Sequence, residues 1–462
     1  MSDDPRHALI VSGAAAYPGG VVSRGSARER GTLVVRFVRA RWGYRFRGRD
    51  QLERWQRRRV ARHLRVHGAR APFYAPLVGP GARFDRIPVV DKTATLHRFD
   101  EMNTRGVRLA DALAVARQAE RTRDFAPLVA GDLTVGLSSG TSGRPGVFLV
   151  SPRERMRWAG TVLARVLDAG AVRRLLLPWT RPLEIRFFLR AGGHLYESVR
   201  SSRVRFVFHD LLEPLETHVS SLAGSRHPID VLVAPASVLV ALADRRVAGD
   251  LPVAVRQVVS VAEVLDPHDR DLVERAFGVR VSEVYQATEG LLALSCPAGS
   301  LHLHEESVLV ELDPLGGGRF VPIVTDFDRS TQLVVRYRLD DVLRVSPLPC
   351  PCGRVTRVLE AVEGREDDVL HLPGESRRVE VFPDTVRRAM AVPSVEWADW
   401  RIRQHGTVVE LALLGCADEG AVRDSLAASL AALGVHRPDV RLVPWPSEDP
   451  TAKVRRVARV VA

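Results

Sequence analysis

Residues 136–145 read Gly-Leu-Ser-Ser-Gly-Thr-Ser-Gly-Arg-Pro, and an apolar run, 147–150, follows. Between Ser138 and Arg144 stand two glycines and four hydroxyl side chains. Glycine lets a backbone take positive φ and approach a ligand closely. Successive N–H groups and hydroxyls in such a turn form a concavity for anions. The loop therefore suits phosphate, with a flexible Gly/Ser linker as the plain alternative. It is not the Walker pattern, because no Gly-Lys-Ser/Thr stands at the required spacing and no helix opens there. A second constellation is Cys350-Pro351-Cys352-Gly353, with Cys296 and His302 upstream. Three thiols and an imidazole make a Cys3His set, which suits structural zinc in tetrahedral coordination with no open position. His304 is the alternative imidazole, and free thiols beside a surface histidine are the plain reading. A third signal is compositional. Of 67 basic residues only two are lysine, Lys92 and Lys453. Arginine does not replace a compact, flexible ammonium, so an arginine-rich chain that keeps two lysines has a use for them unless chance preserved them.

The elements that must position these residues come next. At 462 residues with 45% apolar content the chain can bury a large core in two to four units. No run of 18 apolar residues suggests a membrane span. The N-terminus carries Asp3 and Asp4 without an apolar stretch behind them, so no signal peptide is read and a cytoplasmic protein is expected. The net charge of +12 is spread along the chain without aromatic interleaving, which makes nucleic-acid binding the minor reading. Four cysteines are too few and too uneven for a secreted disulfide framework.

Residues 1–30 read as a partly disordered N-terminus. A helical pattern covers 32–71, with Leu52, Trp55, Val60, Leu64 and Val66 on one face. Asp91 or Thr93 can cap the helix that follows 87–90. Ser151-Pro152-Arg153-Glu154 carries a cap, a proline at the first helical position and an acid in the first turn, predicting a helix through Val166. Apolar segments 174–177, 206–208, 231–234, 258–261 and 281–285 alternate with helical ones, which predicts an α/β architecture with mostly parallel sheets. Short strands, including 307–311 and 332–336, dominate after residue 300. A large α/β domain at 31–365 and a small, mobile α+β domain at 366–462, with a strand at 408–414 and a helix at 420–433, complete the expected organisation.

Five segments, read in order, resemble one family. They are the loop 138–145; Val284-Tyr285-Gln286-Ala287-Thr288-Glu289-Gly290; Arg336-Tyr337-Arg338-Leu339-Asp340-Asp341; Gly364-Arg365-Glu366-Asp367-Asp368; and Thr451-Ala452-Lys453-Val454-Arg455-Arg456. Together they resemble the adenylate-forming superfamily of acyl-CoA synthetases, luciferases and adenylation domains. The likeness is greatest to the phenylacetate–CoA ligase branch and, within it, to enzymes related to the deazaflavin-coenzyme adenylylating synthetases. The resemblance implies that Ser138, Ser139, Gly140 and Thr141 wrap the β- and γ-phosphates of ATP. It implies that Tyr285 stacks on adenine, Ala262 and Glu263 line the base, and Thr288 meets the α-phosphate. Glu289 would hold Mg2+, a hard cation that takes carboxylate oxygen. Asp341 would accept both ribose hydroxyls, Arg365 would lie near ribose or phosphate, and Asp367 matches the hinge. Lys453 would contact both the attacking carboxylate and the α-phosphate, relieving their repulsion in the transition state. It would ride on the small domain, which swings between two steps. The chain departs from the family pattern at Gly146, where a lysine is common outside this branch, and at Ala452, where glycine is usual.

The resemblance further implies activation of a small-molecule carboxylic acid with ATP and acyl transfer, first of all to coenzyme A. An amine or hydroxyl acceptor, or direct adenylyl transfer to a hydroxyl, are the other outcomes. A nucleotide- or nucleic-acid-binding module without catalysis is the reading from another class. Acid-contacting residues are expected in 187–198, with Arg190 or His194 meeting a carboxylate and Phe187, Phe188 and Tyr196 lining an apolar slot; core packing is the plain reading for most of them. Relatives of this kind are commonly homodimers.

Overall fold

The computed structural model describes residues 27–137, 146–189, 201–365, 368–390, 395, 397, 399–446 and 455–460. Strands β1 (Thr134–Leu137) and β2 (Val147–Val150) form a two-stranded antiparallel ribbon whose register pairs Leu137 with Val147. The helix Pro152–Val166 begins as its sequence requires. The Ser151 side chain and Glu154 satisfy each other's backbone amides in a capping box, with Pro152 in the first turn.

A 12-stranded sheet dominates the fold. Its first half is β3 (Leu183–Leu189), β4 (Val204–Asp210), β5 (Val231–Ala234), β6 (Val258–Val261) and β7 (Val281–Ala287). These run parallel in the order β7-β6-β5-β3-β4. The helices Ala236–Val247 and Pro267–Phe277 supply crossovers between consecutive parallel strands. The second half is antiparallel. It contains β8 (Gly290–Ser295), β9 (Leu301–Leu303), β10 (Val308–Gly316), β11 (Arg319–Asp326), β12 (Val334–Arg338), β13 (Asp341–Val345) and β14 (Val358–Arg365). Direction changes at β7, where a two-residue turn replaces a crossover and sends β8 straight back.

The C-terminal α+β domain has a separate core. A ribbon of β15 (Leu370–Pro373) and β16 (Arg378–Val381) precedes a four-stranded sheet of β17 (Asp399–His405), β18 (Val408–Leu414), β19 (Asp439–Val443) and β20 (Val457–Val460), ordered β19-β18-β17-β20. Trp400, Ile402, Leu411, Leu426 and Met390 form its interior.

Local expectations hold where local signals are strong. The helix Pro152–Val166 and strand Val408–Leu414 match residue for residue. Asp91 caps the helix Lys92–His97, its Oδ1 accepting from the Ala94 amide at 2.7 Å. The expected strand 174–177 is instead the end of a helix, Ala169–Leu176, started by Asp168, whose side chain accepts from the Ala171 amide. A four-residue apolar run does not carry a period, and the cap upstream decided its state. On the helix Arg49–Val66, Val66 is exposed, whereas Gln56 and His63 are buried among the apolar residues. Gln56 earns its interior place by donating to the Glu305 and Val308 carbonyls.

Candidate functional site

In an open sheet with parallel strands, ligands bind beyond the strands' carboxyl ends. Strands β3, β5, β6 and β7 all end at one cavity of about 1080 Å3. Its rim is shaped by the turn after β6. Ala262 takes φ of +66°, rare for a residue with a side chain. That conformation turns Glu263 back, so that its amide donates to the Val261 carbonyl at 2.8 Å. Its carboxylate accepts from the Ser237 amide at 2.9 Å, in the first turn of the helix Ala236–Val247, where a negative charge is favoured.

Three predicted residues converge across the change of strand direction. The Tyr285 phenol donates to the Asp341 carboxylate. Asp341 opens β13 directly opposite Arg365 at the end of β14. Burial, then the charge of Asp341, pushes the Tyr285 phenol well above its usual range. Thr288 and Glu289 form the two-residue turn between β7 and β8, closed by the pair Ala287 and Gly290. The Thr288 hydroxyl donates to Glu289 Oε2 at 2.7 Å. Asp326 approaches Gly290 closely: a Cβ there would stand 2.8 Å from Asp326 Oδ2, so a side chain at this position would displace that carboxylate. Asp326 is buried, and burial followed by the charge of Asp328 raises its carboxyl to about 7.

Lys92 and Asp326 line this same cavity, and only the first left a trace in the sequence. Lys92 lies within the electrostatic reach of Asp340 and Glu289, and burial lowers its pKa. Its rarity was the signal. Asp326 had none, since an aspartate at a strand end reads as a turn residue.

Ser138, Ser139, Gly140 and Thr141 lie outside the described residues, as do Lys453, Asp367, Arg190, His194 and Tyr196. Their flanks are described. Gly136, Leu137, Phe148 and Val150 on the β1–β2 ribbon line the cavity, and so do Arg455 and Arg456 at the other end of the chain.

No family model and no curated protein matches this chain. Solved structures do. One is 2-hydroxyisobutyryl-CoA ligase in the postadenylation state with 2-HIB-AMP, with TM-score 0.59, 19% identity and 88% of each chain covered. The same ligase in an open conformation with 2-HIB-AMP and CoA gives 0.53 at 16% identity over 89% of this chain and 92% of that one. GH3.15 acyl acid amido synthetase gives 0.53 at 12% identity over the same shares. The chain has the adenylate-forming fold. Among the described residues, 284–290, 336–341 and 364–365 belong to the large sheet, and Arg455 and Arg456 lead into β20 of the C-terminal domain.

The two parts of the adenylate-forming fold meet through an ionic clasp. Arg456 Nη1 lies 2.6 Å from both Asp266 and Asp269 at the start of the helix Pro267–Phe277, and its Nε lies 2.9 Å from Asp399 on β17. Arg455 Nε binds Asp368 at 3.0 Å, and Asp368 in turn accepts from the Arg365 amide. All four groups of the Arg456 clasp are largely buried. Burial raises the Asp269 carboxyl even with Arg456 beside it. Removing the cation leaves like charges uncompensated, which is far costlier than losing a surface pair. Arg456→Ala is expected to lower unfolding stability by about 3 kcal/mol or more, with Asp269→Asn in the same chain recovering part of it. Paired denaturant titrations check this.

Cys296, His302, Cys350 and Cys352 come together with their ligand atoms within 4.8 Å of one another. The thiols of Cys296 and Cys350 are 3.6 Å apart, and Cys352 Sγ is 3.4 Å from His302 Nε2. A tetrahedral metal with bonds of ~2.3 Å to sulfur sets its sulfurs about 3.8 Å apart, so the set fits zinc. His302 Nδ1 lies 2.9 Å from the Thr356 hydroxyl and 3.1 Å from its carbonyl, which turns Nε2 inward. The two thiols of the knuckle part: hydrogen bonds with Ser300 and the Cys352 amide bring Cys350 down to about 6 against its burial, whereas burial pushes the Cys352 thiol up to about 11, so a bound metal would displace a proton from Cys352. His304 is outside the set. Its Nδ1 faces the Leu291 carbonyl, and burial lowers its pKa to about 4.

Proposed function

We propose that the chain is an ATP-dependent ligase that converts a carboxylic acid to its acyl-adenylate, releasing pyrophosphate, and then transfers the acyl group to coenzyme A. The observation that carries this reading is the meeting of Tyr285, Asp341 and Arg365 at the carboxyl ends of the parallel strands. An aromatic ring, a half-buried carboxylate and a guanidinium at one rim match adenine, a ribose diol and phosphate in turn.

The roles follow from chemistry. Asp341 accepts both ribose hydroxyls, exchanging the Tyr285 phenol for them. Ala262 and Glu263 border the base. Thr288 donates to the α-phosphate once its hydroxyl leaves Glu289. Ser138, Ser139, Gly140 and Thr141 hold the β- and γ-phosphates. Glu289 is the residue that would hold Mg2+, whose chemistry there is charge neutralisation on phosphate oxygens. Lys92 adds a second cation facing the polyphosphate. Lys453 spans the acid's carboxylate and the α-phosphorus. A carboxylate oxygen attacks that phosphorus and pyrophosphate leaves. The acceptor's nucleophile then attacks the acyl carbon and AMP leaves. The change of partner between steps is assigned to rotation of 366–462 about Asp367. The Cys3His set holds zinc in a structural role.

Pyrophosphate release with ATP and a panel of carboxylic acids tests the reading, with and without coenzyme A. Release that needs an acid supports it, and release with none of the acids overturns it. Thioester in the presence of coenzyme A supports that acceptor; adenylate that turns over only with an amine moves the second step to amide formation. Asp341→Ala should lower kcat/KM for ATP by roughly 10- to 100-fold, because it removes charge-assisted hydrogen bonds worth about 1.5–3 kcal/mol. Steady-state kinetics in ATP check it.

A further inference from the structure

Arginines occur throughout the chain, but acids balance them outside one segment. Residues 27–66 hold 14 arginines against Glu29, Asp50 and Glu53, a net charge of +11 out of +12 for the whole protein. The charge that looks evenly spread along the sequence is therefore carried almost entirely by the first two helical stretches. These are Ala27–Val38, which runs on as a π-helix to Gly43, and Arg49–Val66. Such asymmetry points to an anionic partner.

The structure sorts these arginines by face. Arg36 is buried and pairs with Asp328, and Arg49 pairs with Glu53 and Glu305. Arg54, Arg58, Arg62 and Arg65 are spaced by four, four and three positions, so they form one exposed row about 16 Å long on the second helix. None of these four guanidiniums makes an ion pair or a hydrogen bond with another described residue. The first stretch packs Phe37 and Ala40 inward and leaves apolar side chains on the outside too. Val34, Val35, Val38 and Trp42 are 57, 68, 49 and 45% exposed. They repeat every three or four positions, a second stripe about 12 Å long. The two stripes adjoin. Exposed Arg39 lays its guanidinium over Trp55 at 5.1 Å from the ring centroid, and Trp55 stands one turn before Arg58.

The side chains favour a lipid surface over a nucleic acid. Single strands are held by stacking bases on open aromatic faces. Here Tyr44, Phe46 and Trp55 pack on one another with centroids 5.9–6.4 Å apart, and Arg39 and Arg59 cover Trp55. A duplex backbone takes the arginines but has no use for exposed valines. A second copy of the chain would set the arginine row against the same patch, like charge to like. A valine stripe beside arginines, with a tryptophan at its end, matches a helix lying in the headgroup layer of an anionic bilayer. We propose that residues 27–66 dock the protein on an anionic lipid surface. The valine stripe enters the acyl boundary and the arginine row meets headgroup phosphates. This docking does not depend on the adenylation reading.

Cosedimentation of the full chain with vesicles tests it, using phosphatidylcholine alone and phosphatidylcholine with one-third phosphatidylglycerol. The chain should bind the anionic vesicles, bind the zwitterionic ones little, and lose affinity as salt rises. An arginine near an anionic surface is worth about fivefold in binding. Arg58→Gln with Arg62→Gln should therefore lower partitioning roughly 30-fold. Val35→Ser with Val38→Ser should weaken binding at low and high salt alike, because the apolar term is not screened. Arg377→Gln with Arg378→Gln, an exposed pair at the β15–β16 hairpin, should change nothing beyond the loss of two distant charges. Equal binding to both vesicle types, or an equal loss in the hairpin pair, overturns the proposal. So does tighter binding of duplex DNA than of vesicles through the same arginines, which would make the partner a nucleic acid. Vesicle binding seen only in a chain that starts at Ala27 would give the face to the preceding segment. Sedimentation of the free chain as a dimer that the valine substitutions dissociate would give it to a second copy.

Discussion

Lys453→Ala is expected to lower acid-dependent pyrophosphate release by about a hundredfold or more, with little change in KM for ATP. The reason is electrostatic. Adenylation drives an anionic carboxylate onto an anionic α-phosphorus, and the charge on the equatorial oxygens peaks in the transition state. Removing one preorganised donor to such charge costs about 10²–10³ in rate. Binding of ATP rests on other groups, so the loss falls on kcat. Lys453→Arg is expected to recover little, because the planar guanidinium cannot take the place of a compact ammonium between two oxygens. The second step should respond differently. Supplied with preformed acyl-adenylate and acceptor, the alanine variant should form product at close to the wild-type rate, since the lysine acts before that point. Arg455 and Arg456, two and three positions further on, border the cavity, and Arg456 is tied to both parts of the fold. The measurement is a pair of half-reaction assays. Pyrophosphate release unchanged in the alanine variant would end the role assigned to Lys453.

The second large effect concerns the Cys3His set. Purified protein is expected to carry one zinc per chain, and its removal to destabilise the large sheet by several kcal/mol. Cys296 closes the end of β8, His302 lies in β9, and Cys350 and Cys352 belong to the loop between β13 and β14. One ion would therefore tie four neighbouring strands of the antiparallel half. Structural zinc contributes ~10–16 kcal/mol in isolated fingers, where it is the only core. Here β8, β9 and β14 are also hydrogen-bonded and packed, so the expected contribution is about 5 kcal/mol. At ~2–4 °C per kcal/mol for a domain of 150–250 residues, and less for a larger one, that predicts a Tm drop on the order of 10 °C. Cys352→Ser should reproduce most of the effect, and His302→Ala likewise, while His304→Ala should leave metal content intact. Metal analysis and thermal unfolding before and after chelation check this. Zinc-free protein that is indifferent to chelator would leave the four side chains as packed thiols and an imidazole.

Much of the fold was legible from neighbouring residues. The helix Pro152–Val166 is announced by its cap, its proline and its first-turn acid, all within four positions. The parallel strands β5 and β6 are short apolar-rich runs bounded by helical patterns, and the strand Val408–Leu414 needs no distant partner to be recognised. The segment 174–177 failed as a strand because four apolar residues fit either period, and Asp168 lies outside any window centred on them. The Cys3His set was legible because thiols are scarce and their chemistry is narrow. The choice of His302 over His304 was not: residues two apart on a strand share a face, and only the end of β9 at Leu303, beyond which His304 turns its Nδ1 to the Leu291 carbonyl, separates them.

By itself, then, the order of residues determined which groups are available for chemistry: a hydroxyl-rich turn, two lysines among 67 basic residues, one carboxylate after a threonine, and four soft ligands. Tertiary structure decided their company. Asp341 meets Tyr285 across 56 positions, Asp326 presses on Gly290, and Arg456 is held by acids 187 and 190 positions away. Such features depend on strand register and on which atoms are left unpacked, and neither is a property of any short stretch of chain.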